Sequence, residues 1–146
     1  NHMINNDAAI SHTSFSFIDF NGEPRPGGVN ASPLVDLSRH LKNTEIGTST
    51  AIIDRRHVGD FRFSLIRARQ DLKLWIDLLS KGYISYGLDQ NLVQYRVRRG
   101  SVSSNKIKML FVTLFIYIQI PHISVAQRIA CYISYLISAL SKRRGG

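Results

Sequence analysis

Acidic side chains are missing from the final part of this 146-residue chain. All ten Asp and Glu residues lie at or before Asp89, where ten Lys and Arg residues balance them, so the net charge of +9 resides in residues 90–146. A block of one charge sign favours an anionic partner. Its basic residues are spaced through apolar runs, whereas nucleic-acid binding needs exposed aromatic rings among the charges. We therefore expect an anionic membrane surface, and no nucleic acid, as the partner of this block.

Cysteine and long apolar runs are also scarce. Cys131 is the single cysteine, which excludes an internal disulfide and a cysteine-based zinc site and makes a reducing compartment the default. The uncharged run 109–122 is shorter than the ~20 residues that a transmembrane helix needs, and Pro121 interrupts it. No Gly-x-Ser-x-Gly motif supports a hydrolase, and the histidines share no ligand spacing, so no metal site is expected in this chain.

The remaining patterns predict a mixed α/β chain. Alternating and β-branched segments predict strands over residues 8–19, 46–54, 83–88 and 92–98, the last two joined by a turn at 89–91. Asn21-Gly22 and the Pro and Gly residues that follow predict a turn and loop over 21–28. Ser32 and Pro33 predict the start of a helix that ends near Lys42.

Two helices are predicted in the basic tail, over 103–119 and 124–142, separated at Pro121. The second has apolar residues at 3-4 spacing and Ser124 as its N-cap, which is typical of an amphipathic helix. Three arrangements fit: a hairpin packed on the protein's own core, a helical pair lying in the cytoplasmic leaflet, and a membrane span.

Three polar clusters follow one another at the ends of the apolar elements. The first is Gly47-Thr48-Ser49-Thr50, and the second contains Gln70 and Asp71 at the start of a helix with Leu72, Trp75 and Leu79 on one face. A carboxylate at the positive end of a helix stays ionised and can act as a general base. Two plainer alternatives remain: Asp71 stabilises only the helix dipole, and Trp75 packs in the core.

The third cluster spans residues 95–104. Arg96, Arg98 and Arg99 follow the last predicted strand, and a Gly/Ser turn comes next. Guanidinium groups match the geometry of phosphate oxygens. Together the second and third clusters indicate proton abstraction beside a bound diphosphate.

The order of these clusters resembles the acceptor-side half of family 2 glycosyltransferases of the GT-A fold, particularly bacterial surface-polysaccharide enzymes, over about residues 8–106. In that family Glu-Asp or Gln-Asp opens a helix, a Trp follows four residues after the Asp, and the Asp is the catalytic base. Gln70, Asp71 and Trp75 occupy those positions. The small residues 47–50 are then expected to let an acceptor sugar approach the backbone.

The closing strand of that family reads Tyr-Arg-x-His-x-x-Ser-x-Ser, and residues 95–103 match it except that Arg98 replaces the histidine. Since that histidine is a metal ligand in many members, the resemblance implies instead that Arg96, Arg98 and Arg99 bind the leaving diphosphate. The family's nucleotide-binding half and its Asp-x-Asp metal motif are not found; Asn5-Asn6-Asp7 comes nearest. A divalent metal, Mg²⁺ or Mn²⁺, is expected only for the complete enzyme, with its ligands outside this chain.

We therefore expect a partial GT-A fold over residues 1–106 and a basic amphipathic helical tail over 107–146. The expected function is sugar transfer from a nucleotide-sugar donor to a saccharide or lipid-linked acceptor in cell-surface polysaccharide synthesis. The expected location is cytoplasmic, on the inner face of the cell membrane, and the chain is expected to be an enzyme fragment that is inactive alone. The alternative is a non-catalytic module that binds a membrane surface or another polyanion.

Overall fold

The computed structural model describes residues 1–66, 68–97, 106–121 and 123–144. Within them the chain is mixed α/β, as predicted. The strands are β1 (Ile10–Ile18), β2 (Pro24–Val29), β3 (Leu34–Val35), β4 (Ala51–Ile53) and β5 (Ser85–Arg96). The helices are α1 (His2–Asn5), α2 (Leu37–Lys42), α3 (Arg55–Val58), α4 (Gln70–Ser80), α5 (Lys106–Ile118) and α6 (Val125–Arg144), with a 3-10 turn at Thr48–Thr50.

Strand β1 is the centre of the sheet, whose order is β2-β1-β5-β3. It pairs in parallel with β5 along one edge. Along its other edge it pairs antiparallel with β4 and then with β2. Its Thr, Ile and Phe residues suit a pleated, half-buried position, and the strand predicted over 8–19 is confirmed.

Strand β5 corrects the prediction of two strands joined by a turn. It runs without a break from Ser85 to Arg96, and the expected turn residues form a bulge instead. The register moves from Thr13 opposite Leu88 to Ser14 opposite Asn91, which leaves Asp89 and Gln90 without partners in the ladder. Ser14 Oγ donates to Asp89 Oδ1 at 2.6 Å, so a side-chain hydrogen bond compensates for the interrupted ladder.

The loop predicted over 21–28 is also wrong in part, because Pro24–Val29 continue the chain as an antiparallel partner of β1. The turn at Asn21-Gly22 is confirmed, and Gly22 has the positive φ (95°) that favours glycine there. Prolines are tolerated in β2 because it is an edge strand that needs fewer backbone donors.

The helix predicted from Ser32 starts later, at Leu37. Leu34 and Val35 pair with β5 as strand β3, and Asp36 is the true N-cap, since its Oδ1 accepts a hydrogen bond from Arg39 N at 2.7 Å. The loop before β3 lies so close to Gly87 that a Cβ atom on residue 87 would be 2.1 Å from Ser32 O. That contact requires glycine.

Helix α4 packs against the sheet through the first hydrophobic cluster. The cluster consists of Ile10, Val35, Ile46, Val58, Leu74, Trp75, Leu78 and Leu79. The predicted helix is confirmed, and the three residues of its apolar pattern, Leu72, Trp75 and Leu79, are buried. Leu74, Ile76 and Leu78 are buried as well, so the helix is covered on more than the one predicted face.

The tail helices share a second cluster with α2 and α4. It consists of Leu41, Leu72, Ile76, Ile116, Tyr117, Ile120, Cys131 and Tyr135. Helix α6 begins as predicted, since Ser124 Oγ accepts from Gln127 N at 3.2 Å and Gln127 Oε1 accepts from Ser124 N at 2.9 Å. No helix in the described part of the chain is long and apolar enough to cross a bilayer.

His12 of strand β1 is fully buried, and its Nδ1 lies 2.9 Å from Oγ of Ser85 in strand β5. Burial lowers the pKa of His12 below its ordinary value of 6.5, while the nearby Glu45 raises it and His2 lowers it further to a lesser extent. The buried imidazole is therefore neutral at neutral pH.

The Tyr117→Phe variant should lower the free energy of unfolding by about 1–3 kcal/mol, because the buried Tyr117 hydroxyl donates to Leu41 O at 2.6 Å and its loss leaves that carbonyl without the bond. Urea denaturation measures the change. The control is Tyr132→Phe, which should lower the free energy of unfolding less, since the Tyr132 hydroxyl donates to Leu110 O at 3.1 Å in a more exposed position. Equal stability of the Tyr117→Phe and parent proteins would contradict a stabilising buried hydrogen bond between Tyr117 and Leu41.

The protein should also lose stability as the pH falls from about 7.5 to about 5.5. The unfolded chain takes up a proton at His12 near pH 6.5, whereas the native imidazole resists it, so the unfolded state binds more protons in this range and the loss is at most about 1.4 kcal/mol per pH unit. Urea denaturation of His12→Gln should show a flatter pH dependence. An unchanged pH dependence in His12→Gln would contradict a buried, neutral imidazole at this position.

Candidate active site

Three of the residues predicted from the polar clusters line one small cleft. Gly47, Asp71 and Trp75 share a cavity of about 140 Å³ between the 3-10 turn, β1 and the start of α4. Its other lining residues are Phe15, His40, Thr44, Glu45, Ile46, Arg69 and Leu72. The first two polar clusters are therefore adjacent in space although nineteen residues, 51–69, separate them in sequence.

Asp71 lies in the first turn of α4 and is exposed. Its Oδ1 accepts a hydrogen bond from Leu72 N at 2.8 Å, and the unpaired amides of a helix N-terminus favour a carboxylate there. Arg69 precedes the helix in a left-handed conformation with φ of 63°, which turns the chain sharply into α4. Gln70 is exposed and does not line the cleft.

Trp75 both packs in the core and lines the cleft. Its side chain is 2% exposed and belongs to the cluster that fixes α4 on the sheet. The Nε1 donor has no hydrogen-bond partner among the described residues. The two alternatives for Trp75 are therefore compatible, since one residue can fill the core and form a wall of the cavity.

The first cluster is a 3-10 turn at Thr48–Thr50 where a strand over 46–54 was predicted, and only Ala51–Ile53 are extended as β4. The buried Thr50 hydroxyl donates to Gly47 O at 2.8 Å and closes the turn. This local bond competes with extended structure. Thr48 and Ser49 are exposed and lie outside the cleft lining.

Glu45 is a cleft residue that the sequence motifs did not single out. Its side chain is 2% exposed, Oε1 accepts from Arg39 Nε at 3.1 Å, and Oε2 accepts from Ser32 Oγ at 2.8 Å. A buried carboxylate needs such partners. The only local signal was an acid placed directly before the apolar Ile46.

Arg96 lies apart from the cleft, at the far end of β5. Its Nη1 donates to the carbonyl oxygens of Asp19 at 3.2 Å and Phe20 at 2.6 Å, in the turn between β1 and β2. Arg98 and Arg99 lie outside the described residues. The predicted role of these arginines at a diphosphate stays a prediction.

The arginines that precede the cleft in sequence differ in their partners. Arg56 forms an ion pair with Asp54 at 2.6 Å, and hydrogen bonds from Arg56 hold the pKa of that carboxyl far below its usual range. Arg55 forms an ion pair with Asp60. In the described part of the chain, no group of three or more His, Cys, Asp or Glu residues could hold a metal ion.

The chain resembles known glycosyltransferases along most of its length. It is 36% identical over 141 residues to TuaG of Bacillus subtilis (strain 168), provisionally named a teichuronic acid biosynthesis glycosyltransferase, covering 97% of this chain and 56% of TuaG. It is 34% identical over 116 residues to WfaP of Escherichia coli, a UDP-Glc:α-D-GlcNAc-diphosphoundecaprenol β-1,3-glucosyltransferase, covering 80% of this chain and 45% of WfaP.

A third relative, WfgD of Escherichia coli, is named for the same reaction as WfaP and is 28% identical over 110 residues, which cover 74% of this chain and 42% of WfgD. No family model and no solved structure matches the chain. The chain spans about half the length of the curated relatives it matches. The resemblance predicted from the polar clusters is confirmed, and the chain is homologous to about half of a bacterial surface-polysaccharide glycosyltransferase.

Proposed function

We propose that this chain is the acceptor-binding half of a GT-A glycosyltransferase that transfers a sugar from a nucleotide-sugar donor to a saccharide or lipid-linked acceptor. The observation that carries the proposal is the cleft in which Asp71 meets Trp75 and Gly47. Two relatives are named for a lipid-linked acceptor, diphosphoundecaprenol, which supports a membrane-anchored acceptor here.

In the proposed reaction Asp71 is the general base. Its carboxylate takes the proton from an acceptor hydroxyl, and that oxygen forms a bond to the anomeric carbon of the donor sugar. The bond from the anomeric carbon to the donor's phosphate oxygen breaks, and the nucleoside diphosphate leaves with the electron pair. The exposed position of Asp71 allows an acceptor to reach its carboxylate, which accepts a hydrogen bond from Leu72 N at the helix N-terminus.

The other predicted residues take supporting roles in this proposal. Gln70 neighbours the base, and residues 47–50 with Trp75 contact the acceptor sugar. Arg96, Arg98 and Arg99 neutralise the leaving diphosphate, as guanidinium groups do at phosphates. We propose that any Mg²⁺ or Mn²⁺ of the complete enzyme takes its ligands from outside this chain.

The tail is proposed to lie on the anionic inner face of the cytoplasmic membrane. Helix α5 exposes Ile107, Phe111, Phe115 and Ile118, and α6 exposes Val125, Ile129, Ile133 and Ile137, each at more than 49% of its surface. Within each helix these residues recur every three or four positions, so they form an apolar stripe. The charge of +9 resides in residues 90–146, which complements anionic lipid.

Asp71→Asn should lower the transfer rate by about 10²–10⁴-fold without unfolding the protein, because the amide cannot accept the proton. The assay measures turnover of the enzyme that contains this chain, with circular dichroism for the fold. Asp77→Asn, on the same helix and in an ion pair with Lys73, is the control and should stay near the parent rate. Turnover of Asp71→Asn within threefold of the parent would remove Asp71 from this role.

Binding to vesicles should rise with the fraction of anionic lipid and fall with added salt, since each Lys or Arg near the surface contributes about 1 kcal/mol that salt screens. Replacing Phe111 and Phe115 with Ser should weaken it at least tenfold, because a buried Phe is worth about 1.5–3 kcal/mol. Co-sedimentation measures the bound fraction. The control is Phe63→Ser, an exposed Phe outside the tail. Equal binding to neutral and anionic vesicles at low salt would contradict the proposed surface.

A further inference from the structure

Arg69 is a cation in the cleft that has no carboxylate partner among the described residues. It lines the same cavity as Asp71, two residues before it. The guanidinium carries five N–H donors. In the described part of the chain only one side-chain hydrogen bond uses them, and the buried Nε has no partner at all.

Helix α6 holds the Arg69 side chain in place. Nη2 of Arg69 donates to the Tyr135 hydroxyl at 2.6 Å, and the guanidinium carbon lies 5.8 Å from the centre of the Tyr135 ring. Tyr135 is itself 5% exposed and stacks on Tyr132. These contacts fix the orientation of the charge without neutralising it.

Three other arginines in the described part of the chain are paired with carboxylates. Arg39 is paired with the buried Glu45 in the wall of the same cleft, and Arg55 and Arg56 are paired with aspartates. Arg69 differs from these arginines because its side chain is held by the uncharged hydroxyl of Tyr135, and no carboxylate among the described residues neutralises its charge. An arginine that lines a cavity and has no carboxylate partner among the described residues is suited to a phosphate.

We propose that Arg69 binds the phosphate next to the acceptor sugar and so determines specificity for an acceptor that is carried on a diphosphate. This inference rests on the proposed function, because Asp71 makes the cleft the place where the acceptor hydroxyl binds. In a displacement at the anomeric carbon the acceptor oxygen and the departing diphosphate lie roughly opposite each other. A cation in the small cleft beside the base therefore meets the acceptor, and the donor's diphosphate leaves on the other side.

Trp75 provides the signal for a binding experiment on the chain alone. It is the single tryptophan of the sequence and lines the cleft, so its fluorescence reports occupancy. The probes are the decyl diphosphate of N-acetylglucosamine, the decyl glycoside of the same sugar, which lacks phosphate, and UDP. The decyl diphosphate should bind at least tenfold more tightly than the glycoside, and added salt should reduce that difference.

Arg69→Gln should weaken binding of the decyl diphosphate by about ten- to a hundredfold and leave the glycoside unchanged, since a charged hydrogen bond is lost. Arg62→Gln is the matched control, because Arg62 is exposed in the same segment and does not line the cleft. Tyr135→Phe removes only the hydroxyl that holds Arg69 and should give a smaller loss in the same direction. That variant decides the question if Arg69→Gln does not fold.

The proposal is overturned if the decyl diphosphate binds no better than the glycoside, or if Arg69→Gln, or Tyr135→Phe in its place, leaves the preference unchanged. If the parent chain binds UDP and Arg69→Gln loses that binding while the decyl diphosphate is unaffected, Arg69 belongs to the donor site and the proposal is also overturned. Neither result touches the role of Asp71, which the turnover of Asp71→Asn tests separately. If Asp71→Asn transfers sugar at the parent rate while binding of the decyl diphosphate depends on Arg69, Asp71 is not the base and Arg69 still binds phosphate.

Discussion

Burial of helix α4 on two sides is the constraint on which the rest of the structure depends. Leu74, Trp75 and Leu78 pack toward the sheet, while Leu72 and Ile76 pack toward α2 and the tail helices. Each fully buried side chain of this kind contributes about 1.5–3 kcal/mol. Because the proposed base lies in the first turn of this helix, the packing of both clusters fixes where the carboxylate stands.

The tail helices have one buried side, which packs near the cleft, and one exposed apolar side. One set of its residues, including Tyr117 and Tyr135, belongs to the second hydrophobic cluster and contacts the segment just before α4. Another set remains exposed as two apolar stripes. A helix that is buried on one side and apolar on the other is unusual for a surface that meets only water. The same two helices can therefore support the cleft and carry a docking face.

The sequence predicted the elements with strong periodicity. Strand β1, helix α4 with Asp71 in its first turn, and the capping box of α6 at Ser124 and Gln127 all follow local rules. Local rules failed at β5, where Asp89 and Asn91 have turn propensity but a long parallel neighbour keeps the strand continuous. Tertiary pairing outweighed local preference there.

The cleft was predictable only in part, for a similar reason. Gly47, Asp71 and Trp75 carried motifs, whereas Glu45 carried none, because a glutamate is normally exposed and becomes buried here only through Arg39 and Ser32. The contact of Arg69 with Tyr135 joins residues 66 positions apart. No spacing rule within one element can show such a pair.

The parallel pairing of β1 with β5 has a consequence for the order in which the chain can fold. Residues 19–84 separate the two strands, and they include the β2 hairpin, α2 and α4. During synthesis β1 can pair with β2 early, but its longest ladder must wait until β5 has been made. Contacts between such distant strands slow folding. Until β5 is synthesised, one edge of β1 lacks its hydrogen-bonding partner. In that state the nascent chain can pair instead with another nascent chain made on the same messenger RNA.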